Sequence, residues 1–435
     1  MLKAVGFCLL IMALAQGGLL MRPDTARAET LNLDLDDCVR MAVEANTAVI
    51  QANYDLDRAG NSVLASASSM IPSLSLGIRQ TTFENEVLRP VGDRIVISDK
   101  VYTGTISVSE VVSFNTIMAI FEANASKHAT ENYVVSVEQE VAYVARGLYL
   151  GVLKARRLLG VREEALELSE RQFEKAEALV DVGSAVRSDV LKAQVEVSSN
   201  ELELISARNE LRLAETDLRY FVRIADDVEL QLDENIDPGK LDLDLESALE
   251  TAMEHRPDIR SSEETLASTR HGVWRERGGW FPWVAAGWSN NYYAYDAPLG
   301  LGGVWDDREY TWYLAAGIDL FDGLGTFTRV RDAKARRSIA ETDLIQKRLD
   351  VALEVKRAFY GVEEARQRVK VSEEAVEVAE EDLRLAEERY RLGGGTMLEQ
   401  IDSSVSLSEA RTSNIEAMYD YLLSLAQLKR AIGKD

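Results

Sequence analysis

One pattern occurs twice in this chain, 210 residues apart. Leu31-Asn32-Leu33-Asp34-Leu35 returns as Leu241-Asp242-Leu243-Asp244-Leu245, Ile71-Pro72 as Phe281-Pro282, Gly77 as Gly287, Gly151 as Gly361, and Gly183 as Gly393. A single offset holds through helix-patterned and strand-patterned stretches alike. The second half is therefore a structural copy of the first, and the fold must be built from two equivalent units. The expected division is a first repeat over 29–230, a linker over 231–240 that contains Asp237-Pro238-Gly239, and a second repeat over 241–435.

Ahead of the first repeat stand Lys3, an apolar run from Ala4 to Met21, and Ala26-Arg27-Ala28. This is the charged, apolar, small-x-small order of a cleaved signal peptide over 1–28. Cleavage removes three cations and one anion, so the mature chain is more acidic than the −24 of the full sequence. So acidic a chain is a poor partner for nucleic acid. Of the two cysteines only Cys38 survives, which excludes an intramolecular disulfide, and none stands at the cleavage point to carry a lipid.

Each repeat inserts a strand pair between helices. Leu35 to Ser69 reads as helix, ended near Pro72. Beyond it Leu74, Leu76 and Ile78 alternate with Ser73, Ser75, Gly77 and Arg79, and Tyr102, Ile106 and Val108 alternate with Thr103, Thr105, Ser107 and Ser109. That period of two belongs to a sheet with one apolar and one polar face. Glu84 to Lys100, with Pro90, Gly92 and several charges, reads as an exposed loop inside a hairpin over about 72–114. In the copy, over about 281–322, Val284, Ala286 and Trp288 form the first strand, and Tyr310, Trp312, Leu314, Ala316 and Ile318 the second. Pro298 and Gly300 to Gly303 mark the loop between them. Gly278 to Tyr295 has no charged residue, but Pro282, the Asn290-Asn291 pair and the alternation make it strand rather than membrane helix.

After each hairpin comes a helical segment, Asn115 to Asp181 and Gly323 to Leu392, whose length at ~1.5 Å per residue is on the order of 100 Å. Glycine breaks at Val182-Gly183-Ser184 and Leu392-Gly393-Gly394-Gly395 turn the chain into return helices, Val186 to Ile224 and Met397 to Ile432. In the second long helix Val355, Val362, Val369, Val376, Leu383 and Tyr390 recur every seventh residue, each followed three residues later by Ala358, Ala365, Ser372, Ala379, Ala386 or Gly393. The first half answers with Val152, Leu159, Leu166, Phe173 and Val180, then Ala155, Arg162, Ser169, Ala176 and Gly183. Strict heptads mean knobs-into-holes packing, and small residues at every second core site bring backbones close, as in a wall of side-by-side helices.

Taken together, the Leu-x-Leu starts at Leu31 and Leu241, Ile71-Pro72 and Phe281-Pro282 before the first strands, Leu320-Phe321-Asp322-Gly323 after the last, and the tips at Val182-Gly183 and Leu392-Gly393 resemble the TolC family of outer-membrane efflux proteins. The resemblance covers essentially the whole mature chain. It implies a mainly helical fold with inserted strands: long coiled-coil-like helices forming an α-barrel tunnel, and four strands per chain completing a transmembrane β-barrel in a homotrimer. The function it implies is an exit duct in the outer membrane, coupled through a periplasmic adaptor protein to an inner-membrane pump for efflux or type I secretion of small molecules or polypeptides. Leu74, Leu76, Ile78, Ile106, Val108, Val284 and Trp288 would then face outer-membrane lipid, with Trp280, Trp283, Tyr292, Tyr293, Tyr310 and Trp312 as interfacial belts.

The same resemblance assigns the periplasmic gate. Its acidic residues match Glu399 and Asp402, with Asp189 the first-half counterpart of Glu399, and three copies would turn each into a ring of carboxylates. Stabilisation of a helix N-terminus explains the same two acids without a gate. Tyr390 matches a family tyrosine that helps hold the aperture shut, and it is also a heptad core residue. Where the family has a basic residue in the turn this chain has Gly395, leaving Arg187 and Arg391 as candidate substitutes. Val182, Gly183, Leu392 and Gly393 match the adaptor-docking tips, where a tight turn requires glycine in any case.

Catalytic chemistry has no foothold. His128, His255 and His271 fit no metal-ligand spacing, and Gly323-Leu324-Gly325 lacks the Gly-Lys-Ser/Thr of a phosphate loop. The sequence thus points to no catalytic, cofactor-binding or metal site. The rival to a duct is a periplasmic coiled-coil scaffold without a pore, in which the strand face would be buried in protein.

Overall fold

The computed structural model describes residues 30–91, 94–225, 227–234, 244–294 and 307–434. The signal-peptide reading over 1–28 and the loop around Pro298 and Gly300 to Gly303 lie outside the described residues. The first half runs β1 (Thr30–Leu33), α1 (Leu35–Ala45), α2 (Thr47–Ser68), β2 (Ser73–Val91), β3 (Arg94–Ser113), α3 (Phe114–Asp181), α4 (Arg187–Val222) and β4 (Glu229–Leu232). The second runs α5 (Leu245–His255), α6 (Pro257–Arg277), β5 (Trp283–Ala294), β6 (Asp307–Gly317), α7 (Gly325–Arg391) and α8 (Met397–Ala431).

The offset shows in local chemistry. Asp34 and Asp244 stand at the N-caps of α1 and α5, two 11-residue helices, and their buried faces match as Cys38 and Ala42 against Ala248 and Ala252. Burial, helped by Asp34, pushes the Cys38 thiol up to about 12. The segment Leu35 to Ser69 is not one helix. It breaks at Asn46, whose side chain accepts from Ala48 N at 2.8 Å and so caps a second helix where the first ends. The linker is corrected too: its expected first residues belong to β4, which pairs in parallel with β1. Tyr149 of α3, fully buried, donates from its hydroxyl to the Leu33 and Asp233 carbonyls at 3.0 and 2.9 Å, pinning this small sheet to the long helix.

The larger sheet has the order β2-β3-β5-β6, antiparallel throughout, so β2 and β6 are its open edges. Glu84 to Lys100, expected as loop, is mostly strand: pairing resumes after an irregularity between Thr82 and Val87 and continues from Val87↔Ser98 to Val91↔Arg94. The charges and Pro90 masked a run rich in β-branched residues, Val87, Val91, Ile95, Val96 and Ile97. Proline is tolerated there because it sits on an edge strand, close to the turn.

α3 and α7 span 68 and 67 residues, about 100 Å each. α3 packs on α4 and on α8, and α8 on α7, so the helices lie side by side as α4-α3-α8-α7 with α4 and α7 at the margins. The heptads make the seams. Val355, Ala358, Ala365, Ser372, Leu383 and Ala386 are buried in α7, as are Val152, Ser169 and Ala176 in α3. Arg162, the one large residue in the small series, leaves the seam sideways: its guanidinium reaches Glu203 on α4 at 2.8 Å and Ser408 on α8 at 3.0 Å. Among the described residues no helix is long and apolar enough to cross a membrane.

Candidate functional site

The two helical tips are built alike. At the first, Gly183 N and Ser184 N donate to the carbonyls of Val180 and Leu179; at the second, Gly393 N and Gly394 N donate to those of Tyr390 and Arg389. Gly183 and Gly393 adopt φ of +73° and +76°, the left-handed cap that glycine enters without steric penalty. These turns push Val182 and Leu392 outward, 72 % and 80 % exposed. Gly395 is fixed by close approach, since a Cβ there would lie 3.0 Å from Tyr390 N. A side chain there would press on that amide, although the matching position in the first tip, Ala185, carries one in the equivalent turn.

Just inside the tips, Tyr390 of α7 crosses to the other hairpin and packs on a small core of Ala176, Ala193, Met397 and Ile401, beside Phe173 and Val190. Lys175 Nζ lies 5.2 Å from its ring centre. Its hydroxyl is buried with no hydrogen-bond partner. Burial first, then the charge of Asp189, holds that hydroxyl above the ordinary tyrosine value. Asp189 and Glu399 occupy the first turns of α4 and α8, and the Thr396 side chain accepts from Glu399 N at 3.2 Å. Glu399 and Asp402 are both exposed, and neither Arg187 nor Arg391 has an ion-pair partner among the described residues.

Three neighbours escaped the sequence reading. Glu196 of α4 has its carboxyl pushed up by burial and by the charges of Glu203 and Asp402, so it belongs to the same acidic group. Gln172 Nε2 and Gln400 Oε1 are buried without partners beside the Tyr390 core. The offset held a clue: Gln172 corresponds to Asp382, which accepts from Ser403 at 2.6 Å, whereas the position matching Ser403 in the first half is Ala193. No group of three His, Cys, Asp or Glu side chains among the described residues could hold a metal ion.

The sheet separates two chemistries. Register places Leu74, Val108, Trp288 and Trp312 in one row across all four strands, and Leu76, Ile106, Asn290 and Tyr310 in the next. Ile78 shares that face, and Leu74, Leu76 and Trp312 are each more than 70 % exposed in the single chain. The opposite face carries Ser75 and Ser107, hydroxyls 2.7 Å apart, and Thr105, which donates to Asn291 at 2.8 Å. Trp283 and Tyr293 are corrected here. They pair with Ser113 and Gly317, and with Thr103 and Asp307, and so stand on the polar face, out of phase with the apolar rows.

Comparison with known proteins agrees with this layout. Residues 248–434 match the family model described as outer membrane efflux protein. The outer membrane efflux protein BepC of Brucella suis biovar 1 (strain 1330) is 22 % identical over 323 residues, 74 % of this chain and 69 % of BepC. The CmeC outer membrane channel of Campylobacter jejuni superposes with a TM-score of 0.79 at 15 % identity, covering 96 % of this chain and 91 % of CmeC. The Vibrio cholerae outer membrane protein VceC gives 0.75 at 17 %, covering 92 % and 96 %. At such identities the two structures speak to the fold alone.

Proposed function

We propose that this member of the outer membrane efflux protein family works as a passive homotrimeric exit duct. In this reading a signal peptide over 1–28 exports it, and it joins a periplasmic adaptor and an inner-membrane pump to carry small molecules or polypeptides out of the cell. The observation that carries the reading is the pair of unsatisfied margins on each chain. β2 and β6 leave backbone groups unpaired at both sheet edges, which lipid does not tolerate, and a four-stranded sheet is too small to close on itself. The helical margins match them: α4 exposes Leu191, Val195, Leu202 and Ile205, and α7 exposes Val371, Val378 and Leu385 at heptad spacing. Joining β6 to β2 and α7 to α4 of the next copy satisfies both margins with one rotation, and three copies bring the strand count to about twelve, within the range of outer-membrane barrels.

Closure also gives the residues their roles. The apolar rows meet lipid and the hydroxyl-lined face meets water. Asp189, Glu196, Glu399 and Asp402 become rings of carboxylates near the narrow end, attractive to cations, with Tyr390 bracing the two hairpins. Val182 and Leu392, held out by Gly183 and Gly393, offer the adaptor an apolar purchase. Energy comes from the pump. Single-channel recording of the detergent-purified protein tests the reading: a trimer that conducts is expected, and a monomer or a silent bilayer would sink it. Glu399→Ala with Asp402→Ala should weaken block by multivalent cations from the helical side; unchanged block would move the gate elsewhere.

A further inference from the structure

Where the sheet meets the helices, its polar face gives way to an aromatic patch. Trp283 opens β5 and Tyr313 lies on β6, both on the face of Ser107 and Ser289. Each ring lies over a glycine of the adjoining strand: a Cβ on Gly317 would fall 2.7 Å from Trp283 Cζ2, and one on Gly287 would overlap the Tyr313 ring. Between them β5 and β6 carry only Ala285 and Ala315 on this face, with Val111 of β3 beside Ala285. These two glycines have no turn to make; they are the floor on which the rings lie flat. Tyr313 remains 45 % exposed and Trp283 half-buried.

We infer that this patch is a stacking station on the lumen wall for planar aromatic cations in transit. The inference rests on the duct reading, because only barrel closure turns this face inward. A ring lying flat on a glycine keeps its other face for a solute, and aromatic faces attract cations through their quadrupole. Stacking on one ring contributes about 1–3 kcal/mol, enough to slow a solute without trapping it. Farther along the strands the same face is polar until Tyr293, which pairs with Thr103 and Asp307 rather than with a glycine, so the glycine-backed pair of rings is confined to the level where the barrel joins the helices. An acidic chain, −24 overall, favours cations over anions in approaching it.

The test is single-channel current through the full-length trimer, with proflavine, a planar cation, added on the strand side, and tetraethylammonium as a non-planar cation of equal charge. Proflavine should interrupt the current in resolved events. Trp283→Ala and Tyr313→Ala should each shorten those events about fivefold or more, leaving the tetraethylammonium response as it was. Trp283→Leu and Tyr313→Leu keep apolar bulk over the glycines while removing the ring, so they should shorten them too, whereas Tyr313→Phe should retain them. Equal block by both cations, or unshortened events in conducting alanine and leucine variants, overturns the station and leaves the duct standing. A wild-type trimer that does not conduct overturns the duct, and the station with it.

Discussion

The same helix joint is built twice in this molecule, with arginine on opposite sides. In the first half the break between α1 and α2 falls at Asn46 (φ −69°, ψ 132°), and in the second the break between α5 and α6 falls at Arg256 (φ −64°, ψ 124°). The backbones are equivalent and the chemistry is not. Asn46 caps α2 locally, and an arginine from across the joint, Arg223 at the end of α4, donates to Thr47 at 2.7 Å. Arg223 holds φ of +59°, a left-handed conformation unusual for a non-glycine residue. Its counterpart in the second half is Gly433, at φ +73°, where a Cβ would lie 3.2 Å from Arg256 N. Arg256 reaches the other way. Nearly buried, it donates to both carboxylate oxygens of Asp258 at 2.9 and 2.8 Å, to Glu354 at 2.8 Å and to the Ala431 carbonyl at 3.1 Å. Arg430 extends the network from Glu354 to Glu140 on α3. Duplication fixed the angle of the joint, and each copy found its own way to hold it.

The largest effect should come from the second joint. Arg256→Met takes the nearest cation from two poorly hydrated carboxylates and should lower stability by about 2–3 kcal/mol, less than for a fully buried pair because Lys347 and Arg430 still face them and Glu354 keeps some water. Chemical denaturation of the detergent-solubilised protein would read this as a lower midpoint, and an unchanged midpoint would remove Arg256 from the account. The same network makes the joint acid-sensitive. Burial pushes the Asp258 carboxyl up, but the hydrogen bonds and charge of Arg256, with Lys347, outweigh it and hold the group below its ordinary value. A carboxylate with a depressed folded pKa stabilises above its unfolded value, near about 4, and loses that contribution as pH falls through the folded value. Asp258→Asn should therefore flatten the decline in stability below about pH 4; an identical decline would place the acid sensitivity elsewhere.

Gly433→Ala forces a side chain into the left-handed region and against the Arg256 backbone, and should cost about 1–2 kcal/mol. The reciprocal Arg223→Gly relieves the same strain while losing one hydrogen bond, and its midpoint should move by less than about 1 kcal/mol. Equal penalties at 223 and 433 would mean that the joints are not reciprocal. Asn46→Ala removes a neutral cap and should lower stability by about 1 kcal/mol, with no pH dependence of its own, because asparagine does not titrate.

Much of this was written in the sequence in a form that local physics can read. Glycine at 183 and 393 dictates both tips, and the heptads of Val355 to Tyr390 dictate the seams, because left-handed turns and knobs-into-holes packing each demand particular residue types at fixed spacing. Trp283 was legible too. It is out of phase with Val284, Ala286 and Trp288, and its parity, rather than its being a tryptophan, determines the face it takes. The strand over 84–100 was hidden because composition suggested loop where pairing partners on the far side of the turn decided otherwise. β1 with β4 was hidden for a stronger reason, since the Leu-x-Leu alternation in each is only four residues long and does not point to a partner about two hundred residues away.

By itself the sequence determined the duplication, the lengths of the long helices, the places where they turn, and the alternation that divides the sheet into two faces, because each follows from spacing along the chain. Tertiary structure alone decided which polar groups would meet. Arg256 with Glu354 and Ala431, Tyr390 with Asp189, and the Trp283 and Tyr313 rings over Gly317 and Gly287 join residues from separate elements. Hydrogen bonds, charge pairs and ring contacts act over a few ångströms in space, and periodicity in sequence does not encode those distances.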